Sequence, residues 1–387
     1  MPQRIKLGVI SDEFFDPQLG RMGGFGWACQ QLAAVFGVDA SLGVELVFLS
    51  NELKAIGKQD EVTAHNCRLI LRSSHRWAWL RRLRRERFAL LLAIDYNLGY
   101  RFFARAWPRV PLIVWSRDPR PPEDMAIIQT LRLPAQPSRI PQGINPLDGT
   151  SLGGVVRQSR WLRRPVRLAT PAPHLAAKMA GTYNYEPPEL YFLPNIINLK
   201  PHPAGKSATP LVVFLGRLDP YKRPWLFVEL ARRFPSAEFV MLGQAHFTGA
   251  GAWTPEDLPA NVKMQGHVGE TAKEELLSSA WVLVNTSLHE GLAVSFLEAL
   301  ACETPLLAGR DPGGVTSRFG VCVGQWNGDG LDALPLYEKG LRQLLDDAEL
   351  RQRLGREGRE WVNATHSRDT FLDAFARLCQ SVGVDWR

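Results

Sequence analysis

The chain has 387 residues, too many for one ordinary hydrophobic core, so two domains of roughly 150 to 200 residues each are expected. An apolar share of 45% with 22% charged residues excludes a disordered or low-complexity chain. A formal charge of +7 and a pI near 9.3 favour anionic partners, whether nucleic acid, a membrane surface or a phosphorylated small molecule.

Residues 1–10 run directly into a strand-like segment and lack the basic, apolar and small-residue regions of a secretion signal. Cys29, Cys67, Cys302, Cys322 and Cys379 are scattered without a C-x-x-C pair, which indicates neither a zinc site nor a disulfide framework. A cytoplasmic protein is expected. The longest apolar stretches, such as 88–94, fall well short of the roughly 20 residues of a membrane span, so contact with a membrane would be peripheral.

Continuous apolar runs predict strands at 5–10, 44–49, 67–71, 88–94 and 110–115, of the kind buried on both faces of a parallel sheet. Gly23-Gly24-Phe25-Gly26-Trp27 follows the first strand as a glycine loop. The stretch 76–87 is rich in arginine and tryptophan. As a helix it would put Trp79, Leu80 and Leu83 on one side, suited either to an anionic membrane interface or to a solvated basic face. Residues 199–210 have the Pro/Gly/Ser content of a linker, and the strand pattern restarts at 211–215, 238–242, 262–265, 281–284, 305–308 and 321–324. Residues 334–382 read as helical. The fold class is therefore α/β, with two doubly wound domains and a cleft between the carboxyl ends of their sheets.

The second half carries the chemistry. Gly216-Arg217-Leu218-Asp219-Pro220-Tyr221-Lys222 is a loop leaving a buried strand with two cations five positions apart. Such a pair either binds a diphosphate and neutralises charge on its departure, or is two solvated loop cations. Further on, a strand ending near Asn285 leads through His289-Glu290-Gly291 into a helix expected to begin near Leu292. The amides of Gly291, Leu292 and Ala293 would form an anion site at its N-terminus. Glu290 and Glu298 stand eight residues apart, up to about 12 Å along a helix. His289 is read as a structural histidine and left outside the catalytic set.

These residues resemble glycosyltransferase family 4, whose signature is a Glu-x(7)-Glu motif at a helix start, preceded by a Gly-Arg loop with a downstream lysine. The resemblance implies the GT-B architecture: two Rossmann-like domains facing each other over 1–203 and 204–365, with a C-terminal helix over 366–387 packing back on the first. It implies a nucleotide-diphosphate-sugar donor and a glycan or lipid-linked acceptor, with retention of configuration. Arg217 and Lys222 would contact the diphosphate, Glu290 the donor sugar and Glu298 the ribose. Gly23 and Gly24 would approach donor phosphate or acceptor. Leu193-Pro194-Asn195, Leu242-Gly243 and Gly266-His267 resemble other segments of the family. No cofactor is implied, and no Asp-x-Asp motif is present to hold a metal.

Two departures stand out. Ser116-Arg117-Asp118 replaces the histidine that family members often carry there, leaving Arg117 and Asp118 as candidates for acceptor contacts or as partners of each other. Glu303 stands where the family commonly has glycine, so an altered helix C-terminus is expected. A GT-B nucleotide-sugar epimerase is the alternative enzyme. A basic nucleic-acid-binding protein is the non-enzyme alternative, but no motif for nucleic-acid recognition supports it, so no nucleic-acid partner is expected.

Overall fold

The computed structural model describes residues 5–16, 22–54, 60–64, 66–73, 75–134, 141, 152–200 and 205–386. One sheet is built from β1 (Ile5–Ile10), β2 (Val44–Lys54), β3 (Glu61–Ala64), β4 (Cys67–Arg72), β5 (Leu90–Ile94), β6 (Leu112–Trp115), β7 (Val166–Thr170) and β8 (Leu190–Phe192). In the order β3-β4-β2-β1-β5-β6-β7-β8, every neighbouring pair is parallel except β3 with β4. Every residue of β5 and β6 is buried, which is why both read as unbroken apolar runs. Along the chain these strands alternate with α1 (Gly24–Leu32), α2 (Arg76–Leu83), α3 (Arg101–Ala106), α4 (Pro122–Gln129), α5 (Leu152–Trp161) and α6 (Leu175–Tyr183).

The second sheet holds β9 (Leu211–Leu215), β10 (Glu238–Leu242), β11 (Val262–Gly266), β12 (Val282–Asn285), β13 (Leu306–Ala308) and β14 (Gly320–Cys322). Its order is β11-β10-β9-β12-β13-β14, parallel throughout. With it go α7 (Pro224–Arg232), α8 (Glu270–Ser279), α9 (Val294–Ala301), α10 (Val315–Phe319), α11 (Leu334–Asp346) and α12 (Ala348–His366); the last helix of the chain, α13 (Arg368–Ser381), belongs with the first sheet. Strand order reverses at β1/β5 in the first sheet and at β9/β12 in the second. Open α/β sheets bind ligands outside the carboxyl ends of the strands at such points.

The described residues of Met1–Pro121, Leu147–Ile196 and Arg368–Arg387 form one compact unit, and those of Pro122–Pro146 and Ile197–Ser367 form the other. Residues 122–134, inside the stretch 1–203, thus pack with the second unit: Leu131 and Leu133 are buried in its core, and Thr130 Oγ1 accepts from the Gly328 amide at 3.1 Å. In the first unit α13 closes over π-helical residues Ala33–Gly37, with Phe375 and Trp386 packed 5.3 and 5.8 Å from Phe36, ring centre to ring centre. Trp386 Nε1 donates to Leu42 O at 2.8 Å.

The α9 C-terminus corrects one expectation. The helix ends at Ala301, and Glu303 takes the left-handed conformation, φ +56°, that a glycine would favour. The turn geometry is therefore kept despite the substitution, with Arg359 Nε 3.8 Å from the Glu303 carboxylate. Gly355 of α12 is what lets this turn in, because a Cβ there would stand 2.3 Å from Glu303 O.

Candidate functional site

The loops leaving β9 and β12, neighbours at the reversal of the second sheet, carry the two clusters singled out from the sequence. Gly216 follows β9 and donates its amide to Leu242 O at 3.0 Å. Arg217 comes next, its Nε 3.1 Å from Asp219 Oδ2 and its Nη2 donating to the Tyr221 hydroxyl. A single 3-10 turn, Pro220–Lys222, then swings Lys222 toward the β12 loop.

There Lys222 Nζ lies 2.6 Å from Glu290 Oε1, which also accepts from Asn285 Nδ2 at 3.0 Å. Burial works against both charges, and the attraction between the pair outweighs it. Glu290 is held below the usual carboxylate range, with Ser287 and Asn285 assisting, and Lys222 above the usual lysine range. Both groups are ionised at neutral pH. Arg223 fixes the two loops together. Buried, with φ +48°, it donates to the carbonyls of Thr286 at 2.8 Å, Ser287 at 3.2 Å and Trp326 at 2.8 Å. Thr286 Oγ1 returns a bond to Lys222 O at 2.7 Å. Sequence reasoning named Lys222 and Glu290 but missed Arg223, Asn285 and Ser287, which hold them. The one signal was Arg223 between Lys222 and Pro224, too common a pattern to read.

Helix α9 opens at Val294 with Ala293 as N-cap, two residues later than expected, so Gly291 and Leu292 lie in the loop before it. Glu290 is likewise outside the helix, and the eight-residue spacing to Glu298 is not a straight helical rise. Glu298, on α9, is 2.6 Å from Lys273 of α8, which also pairs with Glu270 at 2.7 Å. Despite burial, these two carboxylates push Lys273 above its usual range. His289 is buried, its Nδ1 3.6 Å from Asp124 Oδ2 on α4.

Residues 198–361 match the model of the glycosyl transferases group 1. That match lies wholly within the second unit. The chain is 27% identical over 190 residues to the GDP-mannose-dependent monoacylated alpha-(1-6)-phosphatidylinositol monomannoside mannosyltransferase of Corynebacterium glutamicum, covering 45% of this chain and 48% of that protein. It spans about half the length, or less, of the curated relatives it matches. Among solved structures it is similar to sucrose-phosphate synthase from Thermosynechococcus elongatus, with a TM-score of 0.69 at 17% identity over 98% of this chain and 99% of that one. Anabaena HepE in complex with UDP-glucose gives 0.69 at 12% identity, over 97% and 100%. The fold is GT-B. Arg217, Lys222, Glu290 and Glu298 all lie inside the group 1 match, whereas Gly23 and Gly24 lie outside it.

In the first unit, the Glu13 carboxylate already accepts from the amides of Gly23 at 2.9 Å, Phe25 at 3.0 Å and Gly26 at 3.0 Å. A Cβ on Gly23 would stand 2.6 Å from Glu13 Oε1, so glycine here admits a carboxylate of the chain itself. A phosphate at these amides would have to displace it. The Gly24 carbonyl accepts from Arg117 Nη1, and Arg117 also donates twice to Asn195 Oδ1, at 3.1 and 2.7 Å. Its guanidinium lies 4.9 Å from the Trp115 ring centre. Asp118 pairs with Arg120, 2.6 Å away. Beneath them Asp95, buried and pushed up to about 7 by that burial and by Asp118, accepts from the Arg117 amide at 3.0 Å and from Ser116 Oγ at 3.2 Å. Among the described residues no group of three or more His, Cys, Asp or Glu side chains is placed to hold a metal ion, and no helix is long and apolar enough to cross a membrane.

Proposed function

We propose that this chain is a cytoplasmic family 4 glycosyltransferase that moves a sugar from a nucleotide-diphosphate donor to a glycan or lipid-linked acceptor, with retention of configuration and without a divalent metal. Its setting would be the synthesis of cell-envelope polysaccharide or glycolipid. The observation that carries this reading is the largely buried Lys222–Glu290 pair, 2.6 Å apart beside Arg217, at a strand-order reversal inside the stretch that matches the group 1 model. The UDP-glucose complex of HepE and the lipid-linked substrate named for the Corynebacterium relative support the donor and acceptor classes.

In this reading Arg217 and Lys222 turn from Asp219, Tyr221 and Glu290 to the donor diphosphate, whose charge rises as the bond to the sugar breaks. Glu290, charged and anchored by Asn285, accepts hydrogen bonds from donor-sugar hydroxyls. Glu298 accepts from the ribose hydroxyls, and Gly216, Gly291, Leu292 and Ala293 line the approach to the phosphates. The acceptor hydroxyl attacks on the leaving-group face, and a phosphate oxygen takes its proton. The two cations supply the positive potential that a metal supplies elsewhere. Incubation with UDP-, GDP- and ADP-sugars in excess chelator is therefore expected to yield an acceptor product with one donor class. Complete loss of product, restored by magnesium or manganese, would reject metal independence. Absence of product with any donor under either condition would reject transfer.

A further inference from the structure

The first unit carries an open groove of about 650 Å³ to which the proposed transfer assigns no role. Its floor is apolar: Trp79 of α2 stacks on Phe102 of α3 at 4.5 Å with planes 6° apart, and Leu80 and Leu98 continue the surface. Its rim is cationic. Arg84 follows α2 at its C-cap, and Arg101 and Arg105 are four residues apart on α3, hence on one helix face. None of these three arginines has a carboxylate partner among the described residues. The carboxylates nearby are engaged elsewhere. Glu86 accepts from Arg68 and Arg82, both at 2.8 Å, and Glu61 from the same two arginines.

The apolar side expected for α2 is not what faces outward. Trp79 is only 2% exposed and Leu83 is fully buried, both belonging to the core of the unit, and Arg82 is held in ion pairs. What remains at the surface is Trp77, 81% exposed, and Leu98, 46% exposed, bordering the groove. A basic patch alone would suit any polyanion, and an apolar groove alone any greasy segment. An apolar floor ringed by guanidinium groups, with an exposed indole at its edge, matches a ligand whose phosphate sits directly beside a hydrocarbon chain.

We propose that this groove docks the phosphate and upper chain of an anionic membrane phospholipid, with Arg84, Arg101 and Arg105 on the headgroup, Leu80, Leu98 and Phe102 under the chain, and Trp77 in the interface. Sedimentation of the full chain with vesicles of phosphatidylglycerol and phosphatidylcholine tests it. Binding is expected to require phosphatidylglycerol and to weaken as salt is raised. The double variant Arg84→Gln/Arg105→Gln should bind about 30-fold more weakly, at roughly 1 kcal/mol per arginine near such a surface. Trp77→Ala should weaken binding further with an unchanged melting temperature. The control Arg85→Gln/Arg87→Gln, two exposed arginines of the same segment outside the groove, should change it less than about threefold. Equal losses in the two double variants would reduce the effect to diffuse charge and overturn the groove. Equal binding to pure phosphatidylcholine would overturn it too, as would salt-sensitive binding to single-stranded RNA without any to vesicles.

Discussion

Lys222→Ala is expected to lower the rate of sugar transfer by about a hundredfold to a thousandfold, roughly 2.7 to 4 kcal/mol in the barrier, with a smaller change in donor affinity. The reason is that negative charge on the bridging oxygen grows in the transition state, so a cation placed there is worth more in that state than in the bound donor. Arg217→Ala should cost a similar amount, and the double variant less than the sum, because both side chains serve one leaving group. Stability is expected to fall with either change. Lys222→Ala strips a buried carboxylate of its partner, 2.6 Å away, which costs about 3 to 5 kcal/mol. Arg217→Ala likewise strips Asp219, whose side chain is fully buried, of the guanidinium 3.1 Å away and should cost a comparable amount. Adding Glu290→Gln to Lys222→Ala removes the orphaned charge and should recover part of the stability while turnover stays low.

The pair also sets a pH window. Glu290 is depressed, so its contribution to stability is complete above its unfolded-state value and is lost as pH falls through the folded one. Lys222 is raised, so its contribution is complete below its unfolded-state value and is lost as pH rises through the folded one. Both hold across neutrality. Steady-state rates, donor affinities and melting curves for these variants make the test. Near-normal turnover in both single variants would make the 216–222 loop structural and send the search for the donor site elsewhere.

Gly243→Ala is expected to destabilise the second unit by about 2 to 5 kcal/mol, the sum of a strained backbone and a core contact made too tight. At φ +130° its added methyl would stand 2.0 Å from the Gly216 carbonyl oxygen, and backbone must move to relieve that. Movement of Gly216 displaces Arg217, so turnover should fall as well. Gly249→Ala is the control. Its φ is +83° but nothing lies within 4 Å of the added atom, so only the conformational cost of about 1 kcal/mol remains. Equal melting temperatures for the two variants would mean that the close approach of Gly243 to Gly216 costs nothing.

The strands that frame both reversal points were legible because parallel strands covered on two faces read as unbroken apolar runs. Leu211–Leu215 falls where the runs predict it, and Val282–Asn285 lies within one residue of its predicted run. The strands β3, β7 and β8 escaped for the converse reason. Glu61–Ala64 is a four-residue edge strand, Val166–Thr170 carries a part-exposed Arg167, and Leu190–Phe192 is a three-residue edge with Phe192 47% exposed. The packing of residues 122–134 with the second unit was also hidden, since hydrophobic periodicity reports that a helix is buried and not against what. At the site, the charged residues stood out in sequence because charge in a strand-end loop is conspicuous. The groups that hold them did not. Arg223 acts through three backbone carbonyls, Asn285 through one amide bond to Glu290, and Glu13 through three amides ten to thirteen residues away. Contacts to backbone leave no residue pattern to read.

The central claim is that the loops after β9 and β12 hold the donor, and amide hydrogen exchange with and without saturating nucleoside diphosphate tests it most directly. UDP, GDP and ADP would be tried in turn, since a ligand at a hundred times its dissociation constant stabilises by about 2.7 kcal/mol and so reveals which one binds. With that nucleotide, exchange is expected to slow at 216–223 and 286–298. The reach from Asp95 to Arg120 in the first unit should serve as an internal reference that changes less. Protection confined to the first unit, with the two loops of the second unit exchanging as before, would contradict the account.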